Sequence, residues 1–288
     1  MKIVIIYNPN STGDSAANAK DLARELKDAG LDVTTRKTTH AGHGEEIAAK
    51  YAESGEKILL ISSSGDGGYH EVANGALSTE KKSNLIVGVL PSGNANDHHT
   101  AIGSGSLAES IKNKDFHHID TIKVAATING KPWTRYAHSY VGMGVTAHAA
   151  KRLTEDRPNL FTEKWIVAHA LLSFRYVKLK EGDHTRRYSS VLFGNIDRMS
   201  KVVKLSENSS ITDGKFEKSS IRFRSKLRLI SYLITAATIG LKESESMKRY
   251  ECVTVNPLPI QLDGEVYKID AGSKIAVESV KRNLHCVL

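Results

Sequence analysis

The sequence predicts an α/β domain on a parallel sheet, followed by an antiparallel β-sandwich domain with helical insertions. Three observations carry this. The first third alternates apolar, strand-like runs with helical ones. Near Asp120 the pattern changes to short strands of period two, with Asn129-Gly130 as a hairpin signal. Three polar, glycine-bearing loops each follow a strand of the first third, which puts them at one edge of its sheet.

In the first domain the strands are Lys2–Tyr7, Asp32–Thr35, Ile58–Ser62 and Leu85–Leu90. The helices are Ser15–Ala29, with Leu22 and Leu26 on one face, Glu45–Glu53, Tyr69–Leu77 and Leu107–Asn113. In this order the connections cross over the sheet and cover both its faces. From Asp120 onward the strands are Thr121–Ile128, Trp133–Val141, Ser189–Gly194, Lys201–Leu205 and Ser219–Arg224. They continue with Tyr250–Asn256, Pro259–Leu262, Val266–Ile269 and Lys274–Glu278, and helices interrupt at about Phe161–Lys180 and Leu227–Leu241. The expected division is 1–119 and 120–282, with the last few residues, about 283–288, completing the first domain.

A chain of 288 residues, 40% hydrophobic, can bury a sizeable core. Its net charge is +8, and the basic excess sits in the middle: Lys151 to Arg228 holds 18 Lys and Arg against 9 Asp and Glu. No nucleic-acid-binding signature accompanies it. An anionic membrane surface or a solvated face is the expected partner of Arg186, Arg187, Arg222, Arg224 and Arg228. Cys252 and Cys286 have neither metal-ligand nor disulfide-framework spacing and read as reduced core residues. The apolar stretch Trp165–Phe174 is too short to span a bilayer, and no signal peptide precedes the first strand. The expected location is the cytoplasm, with peripheral membrane association.

Residues 62–71 read Ser-Ser-Ser-Gly-Asp-Gly-Gly-Tyr-His-Glu directly after an apolar strand. Glycine lets backbone N–H groups approach a bulky anion, and a helix N-terminus favours negative charge. Asp66 would repel phosphate there unless a divalent cation or a hydroxyl proton is its partner, or unless it simply caps a βα turn. The other two loops are Asn8-Pro-Asn-Ser11 and Pro91-Ser-Gly-Asn-Ala-Asn-Asp97. Asp263-Gly264 reads as a type I′ hairpin turn. His70, His98 and His99 lie beside the loops, His117 and His118 in a linker; none has metal-site spacing.

Together these motifs resemble the diacylglycerol kinase catalytic-domain family, which includes bacterial lipid kinases and sphingosine kinases, over nearly the whole chain. That family shows Asn-Pro-x-Ser-Gly after its first strand; here Thr12 replaces the glycine. It shows Gly-Gly-Asp-Gly-Thr in the second loop; here Ser64-Gly65-Asp66-Gly67-Gly68 lacks the threonine and is closer to the sphingosine kinase form. Asn94 replaces a threonine in the third loop. Val141-Gly-Met-Gly-Val145, Thr212-Asp213-Gly214 and Asp263-Gly264-Glu265 resemble its second-domain motifs.

The resemblance implies ATP- and magnesium-dependent phosphoryl transfer to a lipid hydroxyl in an interdomain cleft, with a diacylglycerol-type acceptor favoured. It implies nucleotide contacts from Asn8, Ser11, Ser64, Gly65, Gly67, Gly68, Glu71, Ser92, Gly93, Asn94 and Asn96. Asp263, with Glu265 in the same acidic turn, is favoured as general base over Asp66, which then serves nucleotide and metal. Asp97 holds a magnesium water or caps the next helix. Asp213, with Glu217, matches a structural metal turn, or a turn with no metal. Asp66→Asn and Asp263→Asn are each expected to abolish most turnover and spare the fold. The alternatives are a sphingoid-base or ceramide-type kinase, an NAD kinase-like enzyme, which the third loop argues against, and a non-catalytic nucleotide or lipid sensor. Partners are a lipid substrate at a membrane surface and no nucleic acid; a homodimer is open.

Overall fold

The computed structural model describes residues 1–9, 11, 13–79, 84–93, 96–102, 105–156, 174, 176–199, 203–204, 209–225, 231 and 244–287. The chain forms two compact units, one of Met1–Thr121 with Lys281–Leu288, the other of Ile122–Val280. The expected helix at Leu227–Leu241, most of the one at Phe161–Lys180, and Asn94 lie outside the described residues.

The first unit runs β1 (Lys2–Tyr7), α1 (Ser15–Asp28), β2 (Val33–Lys37), α2 (His43–Ser54), β3 (Ile58–Ser64), α3 (Asp66–Ala76), β4 (Leu85–Pro91), α4 (Asp97–Ile102) and α5 (Leu107–Asn113). β5 (Phe116–Ile128) starts in this unit and ends in the other. The parallel strand order is β2-β1-β3-β4, and the chain end adds Cys286 against Val87 of β4. Ile3, Ile5, Leu59, Ile61 and Ile86 are buried beneath Leu22 and Leu26 of α1, so the apolar runs are continuous because helices cover both faces. The order reverses between β1 and β3. At such a switch point the connections leave in opposite directions and open a crevice at the strands' carboxyl ends.

The second unit continues with β6 (Lys131–Ala137), β7 (Tyr140–Gly144), α6 (Val145–Asp156), β8 (Val177–Glu181), β9 (His184–Gly194), β10 (Arg198–Met199), β11 (Val203–Lys204) and β12 (Phe216–Arg222). Then come β13 (Glu245–Met247), β14 (Arg249–Thr254), β15 (Leu258–Leu262), β16 (Glu265–Ile269) and β17 (Lys274–Val287), whose last residues re-enter the first unit. Its ladder is antiparallel, in the order β16-β15-β7-β9-β8-β14-β17, with β12 also on β9. Val141, Val191, Phe193, Phe216, Ile260 and Ile275 are among its buried core. Cys252 and Cys286 are buried free thiols, each pushed up to about 12 chiefly by burial, as core residues should be.

Three expectations are corrected. The strand expected at Trp133–Val141 breaks at His138-Ser139, because Asp263 draws the amides of residues 138–140 away from a regular ladder. Residues 177–180, expected to be helical, form β8, whose Val177 and Leu179 alternate inward. The helix expected from Tyr69 starts at Asp66, since Gly65 is extended and turns the chain directly from β3 into α3. Helix α6 was not anticipated, and α4 only as the helix that Asp97 could cap.

Candidate functional site

The carboxyl end of β3 is unusual for a fully buried strand: Ser62, Ser63 and Ser64 follow four aliphatic residues, and all three are buried. Buried hydroxyls need partners, and these find them in neighbouring loops. Ser63 donates to Ser15 O in α1 at 2.8 Å and lies 3.2 Å from Ser92 Oγ. Asn18 of α1 donates to Ser92 Oγ at 3.0 Å, and Ser62 and Ser64 Oγ are 2.7 Å apart. The network ties α1, the end of β3 and the loop after β4 into one rim.

Two glycines let that rim close. A Cβ on Gly93 would sit 2.4 Å from Gly65 Cα, so the loops after β3 and β4 touch backbone to backbone. Asn96, at φ 53°, closes the second of these loops: its Oδ1 accepts from Gly93 N at 3.1 Å and its Nδ2 donates to Gly93 O at 2.8 Å.

The acidic residues are placed by helix N-termini. Asp66 accepts from the amides of Asp97 at 3.1 Å and His98 at 3.2 Å, which caps α4 and explains how a carboxylate is tolerated in this loop. Glu71, one turn along α3, accepts from Gly42 N at 2.8 Å and Gly44 N at 3.0 Å and so fixes the start of α2. Asp97 is buried as the first residue of α4. The amides of Gly67 and Gly68, in the first turn of α3, have no residue four positions back within the helix to accept them. Asn8 is exposed and Ser11 half-buried after β1, with Ser11 N on Asn8 O at 3.2 Å.

A Cβ on Gly68 would meet Ser64 Cβ and Oγ, both at 2.6 Å. Ser64 thus occupies the space that a side chain at residue 68 needs, and the two positions can carry only one side chain between them. Gly68→Thr alone is expected to lower stability by about 1–3 kcal/mol through overpacking. Combining it with Ser64→Gly should recover most of that loss, a coupling that thermal melts of the four proteins would measure.

In the second unit, Asp263 and Gly264 form the two-residue turn between β15 and β16, at φ 51° and 98°. The Asp263 carboxylate points inward and is fully buried. One oxygen accepts from Ser139 N at 2.9 Å and Tyr140 N at 3.0 Å, the other from His138 N at 3.0 Å, with His138 Nε2 at 3.4 Å. Glu265 is exposed. Asp213, also exposed, accepts from Lys215 N at 2.9 Å and closes its own turn, and Glu217 is buried in β12.

The structure therefore brings Ser64, Gly65, Asp66, Ser92, Gly93, Asn96 and Asp97 together at the carboxyl ends of β3 and β4, beside the switch point. Glu71 stands one turn away, and Asn8 and Ser11 follow the adjacent strand. Ser15, Asn18, Ser62 and Ser63 were given no role from the sequence, although three serines ending an apolar strand were a visible sign of buried partners. His70 and His98, which lie beside the loops, are enclosed: Asn74 bonds the first and Tyr69 stacks on the second at 5.1 Å. Burial holds His99 below the usual histidine range. His118 is in β5 rather than a linker and stacks on His285 at 4.2 Å. Among the described residues no group of three or more His, Cys, Asp or Glu is arranged to hold a metal ion.

Residues 2–124 match the diacylglycerol kinase catalytic domain. A YegS-like lipid kinase of Klebsiella pneumoniae (strain 342) is 29% identical over 107 residues, 36% of this chain. The match spans about a third, 34%, of that curated relative's length. The crystal structure of a diacylglycerol kinase from Bacillus anthracis superposes with a TM-score of 0.72 at 17% identity, covering 99% of this chain and 96% of that one. Yeast NADH kinase complexed with NADH gives 0.53 at 10% identity, covering 100% and 83%. At such identities the solved structures speak for the fold alone. Residues 2–124, under half of the chain, thus match the diacylglycerol kinase catalytic domain, and the chain as a whole shares the fold of solved diacylglycerol kinases.

Proposed function

We propose that the chain is a lipid kinase that transfers the γ-phosphoryl group of ATP, with magnesium, to a lipid hydroxyl, a diacylglycerol-type acceptor first. The observation that carries this reading is the switch-point rim of the first unit. Its two loops meet at Gly65 and Gly93, and the α3 amides of Gly67 and Gly68 stand beside them. That arrangement suits nucleotide phosphates. Ser92 and Asn96 hold the rim in shape, and Glu71 fixes the neighbouring loop.

Magnesium takes oxygen ligands, usually one or two carboxylates plus substrate phosphates. Asp66 and Asp97, adjacent across the two loops, fit that donor set. Asp97 would hold the ion, which neutralises phosphate charge when bound. A general base must come within hydrogen-bond reach of the hydroxyl. Both carboxylates accept backbone amides, but Asp66 is only half-buried, whereas Asp263 is fully buried and accepts three. Proton acceptance is therefore placed on Asp66, and Asp263 organises the start of β7. Asp213 is given no metal.

An acceptor screen in mixed micelles tests the reading, with γ-labelled ATP, magnesium and diacylglycerol, sphingoid-base and ceramide acceptors. Labelled diacylglycerol product is expected. Label on a sphingoid base alone would move the acceptor class, a shift the Ser64-Gly65-Asp66-Gly67 loop form makes worth testing. Nucleotide binding with no labelled lipid would indicate a sensor instead.

A further inference from the structure

The geometry points to a docking face for an anionic lipid surface on the second unit, centred on Lys178 and Arg187. These residues are direct cross-strand partners of β8 and β9. Val177 and Leu179 of β8 are buried, so Lys178 and Lys180 project from the opposite, outer face, as does Arg187. Like charges directly opposite on one face cost stability, so the pairing needs another reason to be there.

The surrounding ion pairs do not supply it. Glu181, on the inner side of β8, is taken by Arg186 at 2.8 Å, and Lys218 faces Glu245 at 3.8 Å. On the outer face of β14, Glu251 is shared between Arg249 and Lys274. Lys178, Lys180 and Arg187 have no carboxylate partner among the described residues. What holds the two cations is an aromatic ring. Tyr176 has Arg187 Cζ at 5.1 Å and Lys178 Nζ at 6.0 Å from its centroid, and it packs on Phe223 at 5.1 Å.

An apolar residue completes the patch. Val255 donates its N–H to Lys178 O at 3.3 Å, which places it beside the cations. It is 41% exposed, and among the described residues the only other exposed large hydrophobic is Met1. Strand-face cations, with Lys180 and Arg187 exposed and Lys178 half-buried, around a protruding aliphatic side chain suit a bilayer surface: the cations meet headgroups and the valine meets the acyl boundary. A nucleic acid would gain nothing from Val255, and the Tyr176 ring is already covered by Arg187 rather than offered for base stacking.

The test is co-sedimentation of the full chain, without nucleotide, with vesicles of phosphatidylcholine alone and of phosphatidylcholine mixed with phosphatidylglycerol. Wild type should partition onto the mixed vesicles only, and rising salt should release it. Neutralising a cation near an anionic surface weakens partitioning about fivefold, so Lys178→Gln/Arg187→Gln should weaken it roughly twenty- to thirtyfold. Val255→Asp should weaken it as well, and thermal melts should confirm that both variants are folded. The inference is overturned if the folded variants bind like wild type, or if wild type ignores anionic lipid and salt. It is also overturned if a DNA duplex, and not the vesicles, binds through the two cations. Because no nucleotide is present, failure here leaves the phosphoryl-transfer reading standing, and an inactive enzyme would leave the docking result standing.

Discussion

Replacing Asp66 by asparagine should lower lipid phosphorylation by about three orders of magnitude, the scale lost with a positioned proton acceptor, and leave the protein folded. An asparagine carbonyl can keep one of the two α4 amide bonds that the carboxylate makes to Asp97 and His98. The stability cost should therefore be about that of one weakened helix cap, roughly 1 kcal/mol. The split between a small melting shift and a large loss of turnover is what distinguishes a reacting group from a capping one. Steady-state label transfer and thermal unfolding on the same preparation measure both. A variant that keeps near-normal turnover would leave Asp66 as the cap of α4 and nothing more.

Asp263→Asn should behave in the opposite way. Its carboxylate is fully buried and accepts from three consecutive amides, those of His138, Ser139 and Tyr140. Asparagine cannot accept all three, and its NH2 group would face donors. Each buried donor left without a partner costs about 1–3 kcal/mol, so a loss of about 3–5 kcal/mol is expected, seen as a melting temperature lower by about 10 °C or more. This replaces the sequence-based expectation that the substitution spares the fold. Activity should fall with stability, and cooling should restore part of it. An Asp263→Asn protein that melts like wild type but is inactive at every temperature would return Asp263 to the chemistry.

Three of the first unit's strands, β1, β3 and β4, were legible as buried, mostly aliphatic runs bounded by turn residues, as at Ile58–Ile61, whereas β2 buries only Val33. The hairpin turns were equally readable: Asn129-Gly130 and Asp263-Gly264 both take positive φ. The loops at the strand ends could be located for the same reason. What the loop residues do there was much less legible, since their partners are remote in sequence. Asp66 bonds a helix 31 residues away and Asp263 bonds amides more than 120 residues away, and no local pattern encodes either. The same long-range bonds broke the β6–β7 run that alternation had read as one strand. Helix α6 was missed where Gly144, at φ 92°, ends β7 directly against it with no polar cap to announce the change. The Ser64–Gly68 relation was invisible because it is a matter of shared volume rather than residue type.

The most direct test of the account is transfer of γ-labelled phosphate from ATP and magnesium to lipid in mixed micelles, with wild type and Asp66→Asn side by side. The switch-point reading predicts labelled lipid from wild type and next to none from the variant. Equal labelling by both proteins, or none by wild type on any lipid hydroxyl, would contradict it.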